Sequence, residues 1–171
     1  NRAGLDIGDE HVKLPKNLKR EHDRLMEAAR IAKNEEKKRK KLAEIEQHRP
    51  AFEKTVAPLE AWAWEDAGIC IRPVHTEEEL MDEGAALHHC VGEYGETVAS
   101  GRSCIFFIRR ADAPEKPWYT LQVELKTLKE IQNHGLRNCG ATKEVQEFVN
   151  RWLAHVRALK TASKKRKETA A

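Results

Sequence analysis

The chain has 171 residues, a formal net charge of +3 and a charged fraction of 35%. Its length suits one domain with an extension, and because the charged share exceeds the usual quarter, we expect part of the chain to be a solvated segment with little core. No apolar run approaches the roughly 20 residues that a membrane span needs, so we expect no membrane partner. The polar start without Met predicts a missing upstream region and no signal peptide.

Residues 1–49 are predicted to form a basic helical arm. From residue 14 the stretch is rich in Ala, Glu, Lys, Arg and Leu, which favour helix. Pro15 suits a first helical turn, and Pro50 is the expected stop. The arm carries a run of basic residues: Lys37, Lys38, Arg39, Lys40 and Lys41. Such a run concentrates positive potential without sequence specificity, so a solvated arm and a nucleic-acid-binding helix are both open.

Residues 50–67 are predicted to be an aromatic connector, a short helix or turn that docks Trp62 and Trp64 onto the core. Residues 68–160 predict a compact domain in which strands alternate with helices. Strands are expected at 68–74, 103–109 and 118–125 and from residue 130. Helices are expected from the Thr76–Glu79 capping box to about residue 86, over 90–100, and from Thr142 along a stripe of period 3.6 that includes Trp152.

This order predicts an α+β fold, a small and mainly antiparallel sheet with helices on one face, preceded by a long charged helix. Residues 161–171 are predicted to be a disordered basic tail. The four cysteines contain no CxxC pair and are too sparse for a secreted disulfide scaffold, so we expect a reducing cytoplasm. Cys70 and Cys104 lie in apolar runs, where a thiol behaves as a small hydrophobe.

Two segments of the predicted domain, residues 83–94 and 132–140, are rich in His, Cys, Asn and Gly. With the end of one strand they supply the candidate catalytic residues: His89, Cys90, Arg109, Gln132, His134 and Asn138. We expect most of them, together with Thr120, to converge on one cleft, where Gly92 and Gly135 allow close backbone approach.

Five strings resemble the PcfJ-like family in order and spacing: LHHCVGEY, GxxCIFFIR, PWYTL, IQxxGxxN and FVxxW. The upstream PKNLKREHDRL is similar to the segment that precedes the C-terminal part of that family. The positions that match are His89, Cys90, Gly92, Tyr94, Arg109, Thr120, Gln132, Gly135 and Asn138. The chain departs from the family at Gln122, where a Glu is frequent, and an amide cannot hold a charge. The resemblance implies a mobile element, either a conjugative plasmid or a phage, with its other proteins as partners.

Three interpretations of the two segments remain open. In an enzyme, Cys90 would be the nucleophile, activated at a helix N-terminus. A base or hydrogen-bond donors would come from Gln132, His134 and Asn138. Arg109 would hold a phosphate. In a metal site, His and Cys would ligate zinc, although the contiguous HHC string lacks the usual ligand spacing. In a structural network, the polar groups would satisfy one another. We interpret Cys90 itself as a buried thiol.

The sequence therefore predicts a protein of a mobile element that handles nucleic acid, or a partner bound to it, through the basic arm and the polar cleft. A cytoplasmic enzyme with a Cys/His site acting on a phosphate-bearing or nucleic-acid substrate is one alternative. A protein-interaction module without catalysis is the other. No metal or other cofactor follows from these residues.

Overall fold

The computed structural model describes the backbone of residues 18–169 and the side chains of residues 18–165. The predicted start of the arm, residues 1–17 with Pro15, lies outside the described residues. The chain divides into two compact units, Asn1–Glu44 and Ile45–Ala171. None of the helices formed by residues 18–169 combines the length and the apolar character that a membrane span requires.

The described part of the first unit is one solvated helix. It belongs to α1, Leu18–Val56, which continues into the second unit. As far as residue 44 almost every side chain is exposed, including Met26 at 59% and Leu42 at 53%. Ion pairs between residues three apart, such as Arg30 with Glu27 at 2.8 Å, support the helix from its own surface.

Pro50 was predicted to end this helix, but α1 continues through it to Val56. Proline removes one backbone hydrogen bond from a helix interior. The turns beyond it are held by burial, because Phe52 and Val56 enter the hydrophobic core of the second unit. The predicted connector then splits into a 3-10 helix, Ala57–Trp62, and a short strand that the sequence did not reveal.

The second unit is built on a five-stranded antiparallel sheet whose strands follow one another in chain order. The strands are β1 Trp64–Asp66, β2 Ile69–Pro73, β3 Ser103–Arg110, β4 Tyr119–Glu124 and β5 Lys129–His134. Between β2 and β3 lie α2 Glu77–Leu87, a 3-10 helix Cys90–Glu93 and α3 Gly95–Ala99. After β5 come a 3-10 helix Leu136–Asn138 and α4 Lys143–Thr169.

Helix starts follow the predicted caps. The Glu79 amide donates to the Thr76 hydroxyl at 3.2 Å, and the Val145 amide donates to Thr142 at 3.4 Å. These bonds satisfy backbone donors that the first helical turn leaves without partners. The predicted α+β class is confirmed. At the other end of α4 the helix runs to Thr169, so the structure has helix over most of the segment expected to be a disordered tail.

Helices cover both faces of the sheet, whereas one covered face was expected. Neighbouring residues of a strand point to opposite faces. Phe106 of β3 meets Trp152 of α4 edge to face, with ring centroids 4.8 Å apart. Arg109 points to the other face, where it bonds to Glu83 of α2. The sequence hid this second layer, because Thr120, Gln122 and Glu124 alternate with apolar residues in β4, a pattern that suggests a strand face in solvent.

Candidate functional site

The two polar segments predicted from the sequence meet in one cleft on the α2 face of the sheet. The cleft measures about 280 Å³, part of which is open to solvent. Its lining residues are His89, Cys90, Val91, Tyr94, Ile105, Thr120, Gln122, Gln132, His134 and Asn138. Five of the six candidate catalytic residues are therefore brought together, and Arg109 is the exception.

The register of the sheet places four of these side chains in two rows. Thr120 of β4 lies opposite His134 of β5, and Gln122 lies opposite Gln132. Residues directly opposite each other on paired strands project to the same face. The register then shifts between Gln122 and Val123, an irregularity of the kind that re-aims side chains beside functional sites.

The opposite wall is the loop that follows α2. His88 ends the helix in the left-handed conformation, with φ 53°, and His89 returns to extended backbone. The His89 amide donates to the Gly84 carbonyl at 3.1 Å. A Cβ on Gly84 would lie 2.9 Å from the His89 carbonyl oxygen, closer than side-chain carbons tolerate. Gly84 therefore lets the loop lie against α2 and carry His89 and Cys90 to the cleft.

A chain of hydrogen bonds runs along the floor of the cleft. Gln122 donates to the Ser103 hydroxyl at 2.9 Å and accepts from Gln132 at 3.0 Å. The same Gln132 amide also donates to the Tyr94 hydroxyl at 3.0 Å. A Glu at position 122 could accept from Gln132 but could not donate as the amide does. Gln122 thus fits a hydrogen-bonded floor without charge.

Two ring nitrogens in the cleft have no hydrogen-bond partner within the described part of the chain: Nε2 of His89 and Nδ1 of His134, both buried. Burial lowers the pKa of His89 below its ordinary value, the nearby Glu83 partly opposes this shift, and His134 adds to it. His89 is therefore neutral at pH 7. Buried polar atoms in proteins nearly always have a partner, so these two nitrogens are the groups through which the cleft can bind a ligand.

Arg109 does not face the cleft as a free cation, contrary to the expectation that it would hold an anionic ligand. Its guanidinium is buried and pairs with both carboxylate oxygens of Glu83, one of them at 3.0 Å. Thr120 donates to the same carboxylate at 2.9 Å, and the guanidinium lies over the Phe107 ring, 4.9 Å from its centroid. A buried Arg with these partners holds the α2 layer on the sheet.

Cys90 was interpreted as a buried thiol, but it is exposed at the rim of the cleft. It opens a 3-10 helix of only four residues, Cys90–Glu93, and the next residue, Val91, fills the core instead. Cys104 does behave as a buried hydrophobe, and burial raises its pKa to about 12. Cys139 is exposed as well.

Glu83 and Ser103 are the site residues that sequence reasoning overlooked. Glu83 carried a usable signal, because it lies three residues after Leu80 and four before Leu87, within the apolar stripe of α2. A carboxylate in such a stripe needs a buried cation, although the stripe does not say which one. Ser103 offered no comparable signal.

Within residues 18–165, no group of three or more His, Cys, Asp or Glu side chains is arranged to hold a metal ion. The cleft thus joins two histidines, two glutamines, an asparagine, a tyrosine and an exposed thiol without a ligand set for zinc. The fold and the site together define an α+β protein with a neutral, hydrogen-bonding cleft.

The chain belongs to the PcfJ-like protein family, whose model matches residues 1–149. It is also 34% identical over 156 residues to an uncharacterized protein of Listeria innocua serovar 6a, Lin1253/Lin1744. The match covers 90% of this chain and 32% of the relative, so the chain spans about a third of that protein's length. No solved structure is significantly similar.

Proposed function

We propose that this protein handles nucleic acid for a mobile element and that α1 supplies the phosphate contacts. The proposal is carried by one observation. Lys37, Lys38 and Arg39 are consecutive, exposed, and without an acidic partner within the described residues. The last two cations of the run are paired, Lys40 with Glu36 at 2.8 Å and Lys41 with Glu44 at 3.8 Å.

Three adjacent cations on one solvated helix favour a polyanion over a single small anion. Successive residues of a helix point about 100° apart, so the three side chains cannot all converge on one phosphate. They can contact phosphates of a strand that passes the helix, which gives binding without sequence preference and with a steep dependence on salt. The mobile-element setting rests on the settings in which members of the PcfJ-like family occur, conjugative plasmids and phages.

A cytoplasmic setting forms part of the proposal. All four cysteines are unpaired, which is typical of proteins kept in a reducing compartment. The other proteins of the same mobile element are the further partners that this setting would offer.

The proposal is tested by fluorescence anisotropy of a labelled single strand, titrated with the protein at several salt concentrations. Wild type should bind weakly, with an affinity that falls steeply as salt rises. Exchange of the whole run for Gln should remove most of the binding while circular dichroism and the melting temperature stay unchanged. The exchanged residues are Lys37, Lys38, Arg39, Lys40 and Lys41.

The matched control changes the basic segment at the other end of the chain, Lys164, Lys165, Arg166 and Lys167, to Gln. It lowers the net charge by four, against five for the arm variant, and leaves the arm intact. Equal losses in the two variants would attribute binding to net charge alone. Unchanged binding in the arm variant would reject α1 as the contact surface.

Catalysis in the cleft is the second candidate function, and one arrangement favours it. A neutral His89, able to accept a proton, lines the same cleft as the exposed thiol of Cys90 and the second imidazole of His134. Cys90→Ser would test it against the candidate substrate, a nucleic acid. Loss of turnover with intact binding and folding supports catalysis, and full turnover rejects Cys90 as the nucleophile.

A further inference from the structure

The cleft is built for an uncharged ligand group. No Lys, Arg, Asp or Glu is among its lining residues. The buried charges behind it, Glu83 and Arg109, neutralise each other through paired hydrogen bonds. A phosphate placed here would lose its hydration without gaining a cationic partner, which is costly. The groups that fit best are neutral and hydrogen-bonding.

The two unpartnered nitrogens further restrict that group. A neutral imidazole offers one donor and one acceptor nitrogen, and His89 is neutral because burial lowers its pKa. Nε2 of His89 and Nδ1 of His134 belong to two residues of separate elements that line the same cleft. A hydroxyl can both donate and accept, so it meets either nitrogen whichever one carries the proton.

Size points to the same group. The space inside the cleft admits a group about as large as one water molecule. A hydroxyl is of that size, whereas a whole nucleobase is too large for it. Side chains of Val91, Tyr94 and Ile105 line the cleft beside the polar groups, where they would contact the carbon atoms that bear the hydroxyl. The open outer part leaves room for the rest of the ligand in solvent.

We propose that the cleft binds the 2′-hydroxyl of a ribose, so that the protein distinguishes RNA from DNA and prefers RNA. This inference rests on the proposed nucleic-acid function and deepens it. The 2′-hydroxyl is the one group present on every nucleotide of RNA and absent from DNA. The two contacts have different roles. The basic residues of α1 bind the phosphates of RNA and DNA alike, and the cleft binds only the sugar of RNA.

The experiment compares three labelled single strands of identical base sequence: RNA, DNA with uracil in place of thymine, and 2′-O-methyl RNA. The methylated strand keeps the 2′ oxygen but loses its hydrogen as a donor. At one fixed low salt concentration, wild type should bind RNA about tenfold more tightly than either other strand, because one unmet hydrogen bond to a buried group costs roughly 1.4 kcal/mol. All three strands can carry a free 3′-hydroxyl, so the comparison isolates the 2′ position.

Two variants locate the preference. His89→Phe keeps a ring and removes both ring nitrogens, and it should bind RNA and DNA equally, at the wild-type affinity for DNA. The matched control is His88→Asn, because His88 is exposed beside the cleft and Asn tolerates its positive φ. That variant should keep the full preference. If His89→Phe fails to fold, His134→Phe takes its place, because it removes the second unpartnered nitrogen and should likewise abolish the preference.

The failures are distinguishable. Equal binding of RNA and DNA by wild type overturns the 2′-hydroxyl assignment and leaves α1 as a general phosphate contact. A preference that survives in His89→Phe overturns the assignment of that preference to this cleft. No binding of any strand means that the proposed nucleic-acid function itself is wrong.

Discussion

The same strands build two faces of opposite character. On the α4 face, Phe106 and Leu121 are fully buried among aromatic and aliphatic side chains. On the α2 face, Arg109, Thr120 and Gln122 are nearly as buried, at 5–7% exposure. Burial alone therefore does not separate the two faces. Chemistry does, because the α4 face is held mainly by apolar packing, whereas the α2 face adds a set of buried, paired hydrogen bonds.

The difference between the two faces of the sheet indicates where a ligand would bind. Apolar packing has no individual atom whose partner can be missing, whereas each polar atom on the α2 face needs one. Most have it, as in the Glu83–Arg109 pair and the chain from Ser103 to Tyr94. Within the described residues, two ring nitrogens of residues that line the cleft do not, and neither does the buried amide of Asn133, which lies opposite Leu121 on the other face. We therefore interpret the α4 face as the support of the fold and the cleft as the site of binding.

The largest effect is expected on the α4 face. Trp152 is fully buried, and its indole N–H donates to the Trp62 carbonyl at 2.8 Å. Trp152→Ala should lower the free energy of unfolding by about 3–5 kcal/mol, as is usual for the loss of a large buried side chain. Urea denaturation followed by circular dichroism measures it.

Trp152→Phe is the matched control, since it keeps most of the packing and loses only the indole and its hydrogen bond. Its loss should be clearly smaller. If Trp152→Ala costs below about 1 kcal/mol, α4 does not support the fold as described and the contrast between the faces disappears.

On the α2 face, Arg109→Ala should lower the free energy of unfolding by about 3 kcal/mol. The substitution leaves the Glu83 carboxylate buried without its cation, and breaking a buried pair in this way is strongly destabilising. The loss lies at the lower end of the usual range because Thr120 still donates to the carboxylate. If Arg109 only held a phosphate, as the sequence suggested, this variant would lose binding without losing stability.

The double variant Glu83→Gln with Arg109→Met sharpens the test. It removes both charges, keeps an acceptor for Thr120, and should be more stable than Arg109→Ala alone. A double variant no better than the single would mean that the two charges do not depend on each other.

Parts of the structure that rest on local patterns could be predicted from the sequence. The 3.6-residue stripe located α4, the Thr76 hydroxyl marked the start of α2, and the apolar run around Phe106 located β3. In each case the physical cause acts within a few neighbouring residues. The same holds for the clusters around His89 and His134, whose composition alone marked them as unusual.

Features that depend on distant partners could not be predicted. Glu83 and Arg109 are 26 residues apart, and nothing local says which acid an Arg will meet. The exposure of Cys90 depends on how a loop lies against Gly84. The continuation of α1 past Pro50 depends on a core that buries Phe52. All three features are determined by tertiary packing, which overrides the preference of the local sequence.

Lowering the pH should show how the titration of His89 affects the free energy of unfolding. Its pKa in the folded protein lies below the ordinary 6.5 because burial outweighs the opposing effect of Glu83, and His134 lowers it further. Below pH 6.5 the unfolded chain therefore takes up a proton at this site that the folded chain does not. This site should make the free energy of unfolding fall by at most about 1.4 kcal/mol per pH unit on acidification, and contribute nothing above that range.

Urea titrations of wild type and His89→Phe between pH 7.5 and about 5 isolate the contribution, because the other titrating groups are common to both proteins. The difference in stability between the two should change as the pH falls, to the disadvantage of wild type. A constant difference would show that His89 titrates alike in the folded and unfolded chains.

The smallest expected effect is a difference in reactivity among the cysteine thiols. Cys90 and Cys139 are exposed and should react rapidly with a thiol reagent, counted by mass spectrometry. Cys104 should stay unmodified in the folded protein, since it is buried with a pKa raised to about 12. Bound RNA should protect Cys90, which lines the cleft, more than Cys139, which is not among the lining residues. Equal protection of the two thiols would contradict the proposed binding position.

The most direct test of the central claim, that the cleft binds while the α4 face supports the fold, is an NMR titration with single-stranded RNA. Ring resonances of His89 and His134 should shift as the RNA saturates the protein, and the indole resonance of buried Trp152 should stay in place. Unmoved histidine resonances in protein that is saturated with RNA would contradict the account.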